Sequence, residues 1–298
     1  MFNKYLLAAS LFAAVASPVV NAAPVLPDPS TTIFGVPVAH QYDDAYVYPT
    51  RLLDYFYPAD GWDPAAGTGT LDIIVTTRSS GASNPSPFPD PIPNANTNPI
   101  DGDWGAGATG AEQLLVKDLR DYLLTNFNTT VPQFTFDQNE TGRNPGLYVT
   151  AKVEIIDGPG GAVLHTWAMD NSLQAGDGNY NPASPVLAAG SITIPNVMNA
   201  SIPECDPLPG GNCTFDNNVG SGKFDYIVLV PTMDLTPWAD ANNLFKVTWH
   251  FHDVDDGGEE ITLTGRFYSN NRVPEPGSLA LFGLAGIGML AALRRRRA

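Results

Sequence analysis

Positive charge, cysteine and histidine are all scarce: 298 residues contain fifteen lysines and arginines, four histidines and two cysteines, against thirty-one aspartates and glutamates. The shortage of Lys and Arg excludes nucleic acid as a partner, because phosphate binding rests on neutralising the backbone. Cys205 and Cys213 form no C-x-x-C pair and have no histidine nearby, which excludes a zinc site built on sulfur. No G-x-S-x-G elbow, H-E-x-x-H pair or phosphate-binding loop of the G-x-x-x-x-G-K type occurs, removing the enzyme classes that depend on them. Glycoside cleavage needs only two carboxylates distant in sequence, so that class stays open without a pair to name. No repeat of about twenty to fifty residues is visible, which excludes a propeller or solenoid.

Glycine and proline are abundant, 28 and 27 residues, and the stretches between them are short and rich in Val, Ile, Thr, Tyr and Phe. That composition predicts an all-β fold, an antiparallel β-sandwich or jelly-roll-like domain. Strands are expected over residues 33–39, 51–57, 70–78, 133–137, 147–156, 162–169, 191–194, 223–230, 244–253 and 260–268. One amphipathic helix interrupts them. Thr109 and Glu112 make a capping box, and Leu115, Leu119, Tyr122 and Leu123 recur at helical spacing up to about Phe127. Residues 79–107, with six prolines and no periodicity, read as a long surface loop.

Both ends carry apolar runs. Residues 1–22 have a positive start at Lys4, an apolar stretch, and Val20 and Ala22 placed for signal peptidase cleavage before Ala23. After the exported domain, residues 23–268, a linker over 269–272 leads to Val273, Pro274, Glu275 and Pro276. An uncharged run over 277–293 follows, and Arg294, Arg295, Arg296 and Arg297 close it. The run is at the short end of what crosses a bilayer, and four arginines hold that side in the cytoplasm.

Val273-Pro274-Glu275-Pro276, Ser278, the apolar run and the arginine cluster resemble the PEP-CTERM sorting signal of Gram-negative bacteria. The resemblance covers about a tenth of the chain. It implies recognition and cleavage by an exosortase near the Pro-Glu-Pro turn, transit through the inner membrane, and a place at the cell surface or outside it. It also implies an association with exopolysaccharide and biofilm.

Without the two ends, ten basic residues face thirty acidic ones, a net charge of −20. Such a surface favours solubility and divalent cations. Cys205 and Cys213 flank a turn-rich segment in a compartment that permits disulfides, and a bond between them closes a loop worth about 2.6 kcal/mol on the chain-entropy relation.

The densest chemistry lies over residues 244–268, which read as a β-hairpin with one apolar and one polar face. His250 and His252 project together on the polar face, near Glu260, Thr262 or Thr264, where they offer a transition-metal pair. Asp253, Asp255, Asp256, Glu259 and Glu260 crowd the turn, and Asp253, Asp255 and Glu259 offer oxygen to Ca²⁺, the one cofactor this reading suggests. The alternative is a solvated strand and an acidic tip that blocks edge pairing. A weaker calcium-like spacing runs from Asp137 to Gly142, with Tyr148 where a twelfth-position glutamate belongs. Tyr42, Tyr46, Tyr48, Tyr55, Phe56, Tyr57, Trp62 and Trp104 serve either a core or sugar stacking, the core being the better expectation. The functional expectation is a non-catalytic structural or carbohydrate-binding component of an extracellular matrix, the alternative a secreted polysaccharide hydrolase or lyase.

Overall fold

A computed structural model describes residues 25–33, 35–57, 72–77, 100–106, 113–138, 147–172, 175–187, 191–194, 213–219, 223–252 and 259–267. The expected leader, residues 1–22, and the tail over 273–298 lie outside these. Among the described residues no helix is long and apolar enough to cross a membrane.

The chain is built from β1 (Thr32–Ile33), β2 (Val36–Pro37), β3 (His40–Tyr42), β4 (Ala45–Pro49), α1 (Thr50–Phe56), β5 (Ile73–Thr77), β6 (Asp101–Gly105) and α2 (Val116–Phe127). There follow β7 (Gln133–Asp137), β8 (Tyr148–Asp157), β9 (Val163–Met169), β10 (Val186–Leu187), β11 (Ser191–Ile194), β12 (Cys213–Asp216), β13 (Tyr226–Leu229), β14 (Asn243–His252) and β15 (Glu260–Thr264). The all-β expectation holds. One sheet runs β3-β4-β13-β7-β15-β5; the other runs β10-β8-β14-β6, with β9 also on β8. Every named pairing is antiparallel.

Strand alternation explains how the two sheets share a core. In β14, Phe245, Val247, Trp249 and Phe251 are buried while Lys246, Thr248, His250 and His252 are half-buried, so every second residue faces inward. They join Val149, Val153 and Ile155 of β8 and Trp167 of β9 from one sheet. Val47, Phe134, Phe136, Tyr226, Val228, Ile261 and Leu263 come from the other, and all lie in one apolar cluster. A second cluster, with Tyr48, Leu53, Ile227, Leu229 and Phe267, covers the opposite face of the β4–β13 end.

Four expectations need correction. Residues 244–268 do not form a hairpin, since β14 pairs with β6 and β8 while β15 pairs with β5 and β7 in the other sheet. Two strands that face one core from opposite sheets show the same alternation as two neighbours, so the pattern could not separate the cases. Residues 51–57 form helix rather than strand, with Leu52 and Leu53 buried and Asp54 exposed. Their aromatic content mimics a strand, yet the segment has no glycine or internal proline to break a helix.

The third correction is β6, which comes out of the expected 79–107 loop. Its sequence, DGDWG, carries no strand signal beyond Trp104, whose side chain is 2 % exposed. Gly105 has φ +98, and a Cβ there would meet the Phe245 carbonyl oxygen at 2.2 Å, so the close approach of β6 to β14 requires glycine. Residues 105–110 read G-x-G-x-x-G ahead of α2, but β6 is antiparallel to β14, unlike the parallel unit that binds dinucleotides. Finally, α2 starts at Val116 with Leu115 as an N-cap that makes no side-chain bond, later than the Thr109 box implies. The preceding residues are drawn to β14 instead, where Phe245 N–H donates to the Leu114 carbonyl at 2.9 Å. The helix ends as expected at Phe127, and Asn128 closes it with φ +56.

Candidate functional site

Strand β9 is the starting point. Its inner neighbour is β8, and its far end is held by Asp44: the Asp44 N–H donates to the Ala168 carbonyl at 3.2 Å and the Ala168 N–H to Asp44 Oδ2 at 2.9 Å. Toward its start, the strand exposes Val163 (51 %) and Leu164 (43 %), large apolar side chains left at the surface. Here the β3–β4 corner of one sheet meets the β9 edge of the other and leaves an open groove of about 770 Å³.

The groove has an aromatic wall and an acidic one. His165, Trp167 and Tyr46 line it. The His165 ring stacks on Trp238 (centroids 5.1 Å apart, planes at 27°) and meets Trp167 edge-on at 4.3 Å. Two tryptophans thus hold an exposed imidazole at the rim. Asp44, Asp177, Gln41, Thr166 and Thr232 supply polar groups, and Gly176 and Gly178, at φ +79 and +70, give the 175–178 turn its left-handed backbone. Both Asp44 oxygens already accept backbone N–H groups, from Gly176 at 2.6 Å and from Ala168. Apolar rings with a few fixed polar groups, in a volume of this size, suit a small-molecule or saccharide ligand. By contrast, the void of about 30 Å³ between the sheets is lined by core side chains such as Phe134, Val153 and Trp249, and is too small for a ligand.

Behind the acidic wall sits Asp43, in the turn between β3 and β4, with φ +53 and a side chain 2 % exposed. Its carboxyl is pushed up to about 6, first by burial and then by Asp44; the Ser172 hydroxyl opposes the rise, while Asp170 and Asp177 add to it.

The residues singled out from sequence are less concentrated. His250 and His252 do lie together, ring centroids 4.4 Å apart, with His252 Nε2 3.4 Å from the Thr150 hydroxyl. They sit on the polar face of the β14 sheet, in register with Thr150 and Tyr148, and not beside Glu260, Thr262 or Thr264, which belong to the other sheet. Glu259 is buried; Asp253 and Asp255 lie outside the described residues, as do Cys205, most of the 137–142 spacing and the whole of 273–297. Among the described residues no group of three His, Cys, Asp or Glu side chains is gathered on one metal-sized point. Of the aromatics, Trp104 and Tyr48 are core and Tyr46 lines the groove. The groove's other residues passed unnoticed, although the acid- and glycine-rich stretch over 170–179 was a local signal.

The fold and the tail together define an acidic, exported all-β domain. The chain belongs to the family described as Domain of unknown function (DUF8239), which matches residues 26–252. Residues 272–297 match the PEP-CTERM protein-sorting motif. This makes the chain an exported, membrane-transiting substrate of an exosortase. No curated protein and no solved structure matches it.

Proposed function

We propose that this β-sandwich domain is a non-catalytic, carbohydrate-binding component of an exopolysaccharide or biofilm matrix, taking its glycan in the groove beside β9. The single observation that carries the reading is the His165 platform on Trp167 and Trp238, at the rim of a groove with acidic and amide groups opposite. Sugar rings have apolar faces that stack on such planes and hydroxyls that bond the Asp, Gln and Thr side chains. The charge of the groove argues for a neutral or amino sugar rather than an acidic one.

His165→Ala in the full chain is expected to weaken binding to the producing organism's own polysaccharide about tenfold, the scale of one lost aromatic contact. His250→Ala, on the outer face of the β14 sheet, should leave it unchanged. Calorimetric titration checks this. Equal affinity of wild type and His165→Ala would move the ligand elsewhere.

The same reading has signal peptidase cut before Ala23, the tail hold the protein in the inner membrane until the exosortase acts, and Cys205 and Cys213 joined once outside. The support is the spacing of the two cysteines and export itself. In the native protein neither thiol is expected to react with a maleimide until a reductant is added. Labelling of both without reduction would show an open pair.

A further inference from the structure

We propose that Asp43 and Ser172 hold a Ca²⁺ ion in the acidic hollow behind the groove, with Asp44, Asp170 and Asp177 supplying the surrounding negative charge. Neither carboxylate oxygen of Asp43 makes a well-formed hydrogen bond, although the side chain is 98 % out of contact with solvent, and the buried Ser172 hydroxyl has none either. A buried carboxylate among like charges is among the costliest arrangements a protein can keep, unless a cation or a proton neutralises it.

The surrounding acids are already oriented. Asp170 accepts from the Ser172 and Asn181 N–H groups at 2.7 and 2.5 Å, Asp177 from the Asn179 N–H at 2.7 Å, and Asp44 from Gly176 and Ala168. Asp43 stands out because, among the described residues, no backbone amide does for it what these amides do for its neighbours, and only the Ser172 hydroxyl lies close enough to oppose the rise of its carboxyl. Its own carbonyl accepts from Gln41 Nε2 at 3.2 Å, and the turn is held further by the bonds to the next side chain, Asp44.

The chemistry selects the ion. The side chains grouped around Asp43, those of Asp44, Asp170, Asp177 and Ser172, offer carboxylate and hydroxyl oxygen, which suits a hard cation. Since no three acidic side chains converge on one point among the described residues, most of the shell must be completed by water. Asp44 and Asp177 also line the adjoining groove, which is open to solvent. Ca²⁺ accepts six to eight loosely arranged oxygens including water, whereas Mg²⁺ demands a tight octahedron. The proposal does not rest on the glycan reading, although Asp44 and Asp177 also line the groove.

The test is thermal unfolding of the full chain at neutral pH in millimolar CaCl₂, in MgCl₂ and in chelator. Calcium at a hundredfold excess over Kd is expected to raise the wild-type Tm by roughly 5–10 °C, and magnesium to do much less. Asp43→Asn should lose the calcium response and melt above wild type in chelator, because the unpaired charge is gone. Asp255→Asn should keep the response. If Asp43→Asn does not fold, Ser172→Ala serves, with calcium affinity in equilibrium dialysis about tenfold weaker for one lost ligand. The proposal is overturned if wild type melts alike in calcium and chelator. It is equally overturned if Asp255→Asn abolishes the response, or if Asp43→Asn or Ser172→Ala binds calcium as wild type does.

Discussion

Asp225→Ala is expected to lower the unfolding free energy by about 3 kcal/mol, taking about 2 kcal/mol for the buried Gln138 N–H and about 1 kcal/mol for the half-buried Val219 N–H, both left without an acceptor. The Asp225 side chain is fully buried, and its two oxygens accept from Val219 N–H and Gln138 N–H, both at 2.8 Å. Its backbone adds three more bonds: its N–H donates to the Phe136 carbonyl, and its carbonyl accepts from Thr50 N–H and from Asn217 Nδ2. One residue thus ties the start of β13 to β7, to α1 and to the 217–219 segment. Alanine keeps the backbone bonds and removes the side-chain acceptors, so the loss should appear as a lower urea midpoint with an unchanged m-value. Asp54→Ala on the exposed face of α1 is the control, expected within about 0.5 kcal/mol of wild type. A shift at Asp225 no larger than at Asp54 would mean that the acid is not the junction described.

The second large effect concerns the tail. Mass spectrometry of the extracellular protein should find no peptide beyond about Pro276, because an exosortase substrate is cut near its Pro-Glu-Pro turn. The apolar run over 277–293 and Arg294 to Arg297 would stay with the membrane fraction. Recovery of an intact arginine cluster from the mature protein would contradict processing.

Local patterns were legible where a segment's own residues decide its structure. β7 and β11 carry the bounds their residues imply, and the alternation along β14 named its inward side chains correctly. What failed was anything decided by distant partners. The Ile261–Leu263 side of β15 could equally face β14 as a neighbour or across the core, and only pairing with β7 and β5 settles it. β6 is a strand because β14 offers it an edge and Gly105 lets it approach. The groove was illegible for the same reason: Tyr46, His165, Asp177 and Thr232 meet only once the β3–β4 corner closes on the β9 edge. Asp43 shows the opposite case. It stands in a plain Tyr-Asp-Asp-Ala-Tyr string, and only burial distinguishes an acid that needs a counter-charge from one facing water.

Incubating the full chain with the host's own exopolysaccharide, and following binding and reducing-end release in the same sample, tests the central claim most directly. The account predicts saturable binding, weakened by His165→Ala, with no new reducing ends. Release of reducing ends, or of unsaturated sugars, by wild type would make the groove a catalytic cleft, and absence of binding to any glycan would remove the carbohydrate reading altogether.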